Sequence, residues 1–171
     1  MLAYFVLGVS LGSMVGLMQL RALRERFSKT GSWVMSSAAG LGVAGGAGYG
    51  AAVLAFGYSE GLEGLGSVAA VFGWTLAAAF GGAVTGVLQW RVLRRHVSRA
   101  GWWVSASSLG WGLSMAVAGT VMAVGSRAVV DPPMIYVATL FVGGLLAGGT
   151  VLGAVTGAAV VWLLMQPIPE A

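Results

Sequence analysis

GSMVGLMQLRALRERFSKTGSWVMSSAAGLG, residues 12–42, returns later in the chain as GAVTGVLQWRVLRRHVSRAGWWVSASSLGWG, residues 82–112. Each copy is an apolar run, a basic turn and a second apolar run. The pattern predicts duplicated helical hairpins. The positions that match at an offset of 70 residues include Gly12/Gly82, Gly16/Gly86, Gln19/Gln89, Arg21/Arg91, Arg24/Arg94, Ser28/Ser98, Gly31/Gly101, Trp33/Trp103, Gly40/Gly110 and Gly42/Gly112.

The composition indicates a protein whose solvent is a lipid bilayer. Of 171 residues, 58% are hydrophobic and 8% are charged, and the mean hydropathy is +0.90. A soluble domain has roughly 25% charged residues. The 29 glycines follow no Gly-X-Y period and come with only 4 prolines, which excludes collagen and argues against a disordered linker. With no cysteine, disulfides and thiolate chemistry are excluded.

Five apolar runs are long enough to cross a membrane, at about 2–23, 32–57, 66–92, 102–126 and 134–165. The fold class expected is an all-α integral membrane protein with five transmembrane helices. The first segment lacks the basic region and cleavage site of a secretory signal, so we expect the first helix to be retained. Ser28 and Ser98 are candidate N-caps of the helices that follow the basic turns. Asp131, followed by two prolines, is the expected N-cap of the fifth helix.

The charges predict the orientation. Eight of the nine Lys and Arg residues lie in the turns after runs one and three, whereas Arg127 lies on the other side with Glu60, Glu63 and Asp131. The positive-inside rule then places the N-terminus outside and the C-terminus inside. We expect a multi-pass protein of a bacterial inner membrane.

The repeat extends into the fifth run. GAVTG at 153–157 repeats GAVTG at 82–86, so we interpret the chain as one transmembrane domain of a hairpin, a hairpin and half a hairpin. The units are about 1–60, 66–130 and 134–165, related as parallel repeats by an axis near the membrane normal.

Small residues recur at every fourth position on one helix face. Such faces permit close helix packing, within the chain or against a partner; a pore or a cofactor groove is the alternative reading. The residues expected to pack helices are Gly8, Gly12, Gly16, Gly82, Gly86, Gly149, Gly153 and Gly157.

Gln19 and Gln89 lie seven residues after a glycine of this pattern, so each shares the face of the glycines. An amide inside a membrane requires a hydrogen-bond partner. The two glutamines bond to each other, to another helix, to a headgroup or to a ligand; the sequence leaves these alternatives open.

The basic turns and their neighbouring tryptophans are suited to anionic lipid headgroups. Docking on an acidic face of a partner subunit is the alternative. The residues expected to serve either role are Arg21, Arg24, Arg91, Arg94, Arg95, Trp33, Trp102 and Trp103.

No set of side chains indicates catalysis or a metal site. His96 is the only histidine, and one histidine without cysteine or a carboxylate cluster makes no metal site. Glu60 and Glu63 share a glycine-rich turn, which favours a solvated loop. No run has Asp, Glu or Lys in mid-span, which argues against a proton-coupled transporter. The sequence implies no cofactor, although a pigment, a quinone or a lipid is compatible with it.

At GVLQWRVLRRHVSRAGWWV the chain resembles a group of uncharacterised bacterial multi-pass proteins with repeated G-x-x-x-G-x-x-Q-W-x-x-L-R-R and A-G-W-W segments. The match covers 82–112, 12–42 with substitutions at Leu20 and Ser32, and 149–165 by its glycines. The resemblance implies no catalytic residue. Such proteins are associated with phototrophic lineages, so the resemblance implies an accessory subunit of a photosynthetic or respiratory complex.

The sequence therefore favours a non-catalytic structural or accessory subunit of a larger membrane complex over an enzyme. We expect partners to be other membrane subunits or further copies of the chain, with no nucleic acid. The alternative is a small channel or carrier lined by the glutamines and by Ser/Thr. The first hypothesis predicts little effect of Gln89→Leu; the second predicts loss of flux.

Overall fold

A computed structural model describes residues 2, 6, 9, 10, 13–17, 33–43, 46, 68–94, 97–129 and 133–166. These residues form helices and the turns that join them, and they include no strand. The expectation of an all-helical protein is therefore confirmed for the part of the chain described.

The described residues include five helical segments of five or more consecutive residues. They are α1 (13–17), α2 (Trp33–Val43), α3 (Val68–Leu93), α4 (Trp102–Ala128) and α5 (Met134–Leu164). The last three have 26, 27 and 31 residues. At 1.5 Å per residue they are roughly 39–46 Å long, more than the ~30 Å of a hydrocarbon core. By length and composition these three could cross a membrane, and their bounds lie within two residues of the expected runs.

The helix starts differ from the expected caps. Gly101 is the N-cap of α4 and Pro133 that of α5, and neither makes a side-chain cap hydrogen bond. Ser98 therefore does not occupy the cap position. Backbone carbonyls of the turn accept the first hydrogen bonds of α4: Trp102 N–H donates to Arg99 O at 3.1 Å and Trp103 N–H donates to Ala100 O at 3.1 Å. Asp131 and Ser28 lie outside the described residues.

The turn before α4 contains a strained residue. Arg99 has φ 61°, a left-handed conformation that a side chain with a Cβ adopts at a cost. Its carbonyl accepts the first hydrogen bond of the entering turn, so the conformation directs the chain from α3 back into α4.

Helix α4 packs between α3 and α5, and glycines permit the close approach. A Cβ built on Gly148 would lie 2.6 Å from the carbonyl oxygen of Ser114, and one on Gly144 would lie 3.1 Å from that of Ala118. Where α4 ends and α5 begins, the hydroxyl of Tyr136 donates to Gly125 O at 3.0 Å.

The main buried apolar cluster lies at the end of the bundle where the basic turn joins α3 to α4. It brings together the start of α2, the end of α3, the turn, the start of α4 and the end of α5. Its members are Trp33, Leu93, Val97, Ala100, Trp103 and Leu163. Elsewhere the helices expose large apolar side chains such as Phe72, Phe80 and Phe141, as expected of a surface that faces lipid.

Candidate functional site

Gln89 is the central polar residue of the structure. Its side chain is 2% exposed and bridges two helices: Nε2 donates to Ser37 Oγ of α2 at 2.8 Å, and Oε1 accepts from Trp103 Nε1 of α4 at 2.7 Å. The amide thus joins α2, α3 and α4. Of the alternatives left open by the sequence, the structure places Gln89 in interhelical hydrogen bonds.

The partners of Gln89 are themselves held in place. Ser37 Oγ also donates to Trp33 O at 3.0 Å, and the rings of Trp33 and Trp103 are tilted with centroids 5.6 Å apart. We call Trp33, Ser37, Gln89 and Trp103 the amide cluster. Among the described residues, no buried side-chain nitrogen or oxygen lacks a hydrogen-bond partner, so the cluster is a completed structural contact.

The amide cluster changes two expectations. Trp33 and Trp103 are 3% and 1% exposed, so they form the core instead of facing lipid headgroups. Because Gln89→Leu would leave the indole N–H of Trp103 without its acceptor, we now expect this substitution to reduce stability.

Glycine contacts recur at positions separated by the repeat offset. A Cβ on Gly16 would lie 2.9 Å from Ser37 Oγ, and a Cβ on Gly86 would lie 3.1 Å from Ser107 Cβ. Ser107 stands 70 residues after Ser37. This serine pair was not among the residues predicted to form a site, although each serine follows its tryptophan, Trp33 or Trp103, by four residues and therefore lies on the same helix face.

A second pair of contacts, each between a glycine and a threonine, recurs where α2 meets α3 and where α4 meets α5. Gly40 of α2 contacts Thr85 of α3, and Gly110 of α4 lies with its built Cβ 3.2 Å from Thr156 Cγ2 of α5. The hydroxyl of each threonine donates a hydrogen bond within its own helix: Thr85 to Gly81 O at 2.9 Å and Thr156 to Leu152 O at 2.7 Å. Both therefore serve as packing residues.

Gly82 and Gly86 lie at the crossing between α3 and α4. A Cβ on Gly82 would lie 2.6 Å from Ser107 O, and one on Gly86 would lie 2.9 Å from Val104 Cα. Serine hydroxyls of α4 donate to the α3 backbone at this crossing: Ser107 to Gly82 O at 2.8 Å and Ser108 to Ala79 O at 2.9 Å.

Gly149, Gly153 and Gly157 of α5 face outward, whereas Gly144 and Gly148 of the same helix are buried. Gly149, Gly153 and Gly157 are exposed, and no atom of the described residues lies within 4 Å of a Cβ built on any of them. The expected packing role of these three glycines has no counterpart inside the described part of the chain, because α5 meets α4 through a different face, that of Gly144, Gly148 and Thr156.

The basic end carries exposed cations and one exposed tryptophan pair. Arg91 and Arg94 are exposed, with the Arg94 guanidinium 5.1 Å from the ring centroid of Trp90. Trp102 is 63% exposed and meets Trp162 edge-on at 6.5 Å. A shallow depression of about 350 Å³ lies beside it, lined by Arg99, Gly101, Trp102 and Ser105.

Several expected site residues lie outside the described part of the chain: Gly8, Gly12, Gln19, Arg21, Arg24 and Arg95. His96, Glu60 and Glu63, for which the sequence favoured no site, lie outside it as well. Among the residues that are described, no group of three His, Cys, Asp or Glu side chains could hold a metal ion.

Comparison with known proteins identifies no relative. No protein-family model matches the chain, no curated protein matches it, and no solved structure matches it.

Proposed function

We propose that this protein is a non-catalytic structural subunit of a larger complex in a bacterial inner membrane. The observation that carries the proposal is the outward face of α5, where Gly149, Gly153 and Gly157 expose backbone that the chain's described residues do not cover. Helices associate in lipid chiefly through close packing of such small-residue faces, so a face of this kind on a membrane helix favours a protein partner.

The polar residues support the same role. Buried Ser37, Thr85, Gln89, Ser107 and Thr156 all hydrogen-bond to the protein itself. A side chain that lines a water-filled path exchanges its hydrogen bonds with water or solute, whereas these are committed to helix contacts. We therefore favour the structural role over the channel or carrier, for which Gln89 was the leading candidate residue.

The proposal includes the arrangement of the chain. We infer two helical hairpins followed by half a hairpin, related as parallel repeats, with the N-terminus outside and the basic turns and C-terminus inside. The recurring glycine contacts at Gly16 and Gly86, on serines 70 residues apart, support the equivalence of the hairpins. In this arrangement the exposed Arg91 and Arg94 meet anionic lipid headgroups.

Native purification tests the proposal. The protein, tagged at its C-terminus, is extracted from its own membrane in a mild detergent and analysed by quantitative mass spectrometry and an absorbance scan. We expect partner subunits in a fixed ratio, and the absorbance shows whether the complex carries pigment. Recovery of the protein alone, together with solute flux in liposomes that contain the protein and none in liposomes without it, would replace the structural role with transport.

A further inference from the structure

Helix α3 contains a strip of residues at positions equivalent to those that α5 exposes. In α3 this strip is covered by α4. At an offset of 71 residues, Val71, Thr75, Gly82 and Gly86 of α3 correspond to Val142, Leu146, Gly153 and Gly157 of α5. The α3 residues all meet α4. A Cβ on Gly119 would lie 3.1 Å from Val71 Cγ1, and one on Gly112 would lie 3.8 Å from Thr75 O.

The corresponding α5 residues are all exposed. Val142 is 54% exposed and Leu146 is 68% exposed, and Gly153 and Gly157 have no described atom within 4 Å of a built Cβ. At the next turn Val161 is 60% exposed. We call Val142, Leu146, Gly149, Gly153, Gly157 and Val161 the outer strip; it runs along about two thirds of α5, which has 31 residues.

We propose that the outer strip docks one transmembrane helix of another polypeptide, antiparallel to α5, with a serine or threonine hydroxyl that donates to Gly153 O. The inference rests on the proposed function and specifies the surface and the partner. The GAVTG sequence is shared by both strips, so the covered strip on α3 shows which kind of helix such a surface accepts.

The direction of the partner follows from the order of contacts in the covered strip. Gly86 meets Val104, Gly82 meets Ser107, and Thr75 meets Gly112. The residue numbers rise along α4 as they fall along α3, so the two helices are antiparallel. The hydroxyl follows from the bond between Ser107 Oγ and Gly82 O, since Gly82 corresponds to Gly153. Antiparallel crossing keeps this donor opposite the glycine.

A different polypeptide is the expected source of this helix. The two described helix faces with the contact pattern of the covered strip are already occupied within the chain, that of Ser37 by Gly16 and Gln89 and that of Ser107 by Gly82 and Gly86. A second copy therefore has no equivalent face to offer without giving up one of its own contacts.

Photo-crosslinking from single cysteines tests the proposal, and the chain has no cysteine of its own. Leu146→Cys and Val161→Cys are made in the full-length protein, labelled with benzophenone maleimide in native membranes and irradiated. Phe141→Cys is the matched control, because Phe141 is 55% exposed and lies about 140° around the helix from Leu146 and about 160° from Val161. Ala158, which is exposed and lies about 140° around the helix from Gly153, is the control position for substitution by leucine. The crosslinked partner residues are then located by mass spectrometry.

We expect both strip positions to capture the same helix, and the control to capture none of it. Val161 should reach a residue nearer the N-terminus of that helix than Leu146 does, with a serine or threonine between the two sites. Gly153→Leu should lower partner recovery on the order of tenfold, whereas Ala158→Leu should leave it unchanged. Unaltered tryptophan fluorescence in Gly153→Leu checks that the amide cluster is intact.

Other results overturn the inference. A parallel order of crosslinks, an adduct between two copies of this chain, or a stoichiometric partner that neither strip position captures would each contradict it while leaving the structural role standing. If native purification yields no partner at all, the proposed function fails and the inference fails with it.

Discussion

Replacement of Gln89 by methionine removes the two side-chain hydrogen bonds that join α2, α3 and α4. Methionine has nearly the volume of glutamine, so the packing of the buried site is largely kept. The bonds lost are those from Gln89 to Ser37 at 2.8 Å and from Trp103 to Gln89 at 2.7 Å. The Trp103 side chain is 1% exposed, so water does not replace the lost acceptor.

The cost follows from the number of bonds. Interhelical hydrogen bonds in membrane proteins are worth about 0.6 kcal/mol on average and up to about 1.7 kcal/mol. Two bonds and a buried indole N–H without an acceptor give an expected loss of roughly 1–3 kcal/mol in the free energy of unfolding. Trp103→Phe removes the donor with the same bond, so Gln89→Met combined with Trp103→Phe should cost less than the sum of the single changes.

Reversible unfolding in mixed micelles, followed by tryptophan fluorescence, measures these free energies for the four proteins of the double-mutant cycle. We expect a coupling free energy of about 0.6–1.7 kcal/mol between positions 89 and 103. Strict additivity, or a Gln89→Met protein as stable as the original, would refute the assignment of Gln89 as a structural bridge.

Four further substitutions separate the contributions of packing, strain and hydrogen bonding. Gly82→Leu should lower the unfolding free energy by about 2 kcal/mol or more, because its Cβ would lie 2.6 Å from Ser107 O, whereas Gly149→Leu, at an open position, should leave it unchanged; equal effects in the unfolding assay would contradict the packing account. Arg99→Gly should raise the free energy of unfolding by about 0.5–1 kcal/mol, since glycine at φ 61° avoids most of the left-handed cost but loses more chain entropy; a decrease would show that the arginine side chain stabilises the turn. Ser107→Ala, which deletes the 2.8 Å bond to Gly82 O, should cost about 0.6 kcal/mol, and no change in the same assay would mean that the bond adds nothing to the crossing.

The three long helices follow from the sequence because hydrophobic length is a local property. The apolar runs at about 66–92, 102–126 and 134–165 were set by membrane thickness, and α3, α4 and α5 begin and end within two residues of them. The glycine crossing at Gly82 and Gly86 was also predictable, since a spacing of four residues defines a helix face wherever the helix lies.

The partners of Gln89 were not predictable in this way. Its contacts with Ser37 and Trp103 depend on how three helices are rotated about their own axes, which hydropathy does not report. Trp102 and Trp103 show the difficulty: they are neighbours in sequence, yet one is 63% exposed and the other 1% exposed. A rotation of about 100° per residue separates them, and only the packed bundle determines which one turns inward.

The outward face of α5 lies between these cases. Its glycines were expected to pack helices, and the sequence left open whether they do so within the chain or against a partner. The described structure leaves Gly149, Gly153 and Gly157 uncovered because α5 packs on α4 through a different face, that of Gly144, Gly148 and Thr156. The repeat supplies the comparison that turns this open face into a specific expectation about a partner.

The most direct test of the central claim is the fraction of the protein found in a high-mass complex after native extraction. Native gel separation with quantitative mass spectrometry measures this fraction for the original protein, for Gly153→Leu and for Ala158→Leu. The account predicts one complex of fixed composition for the original protein and Ala158→Leu, and mostly free protein for Gly153→Leu. Free protein in all three extracts would contradict the structural role, and an intact complex with Gly153→Leu would contradict docking through α5.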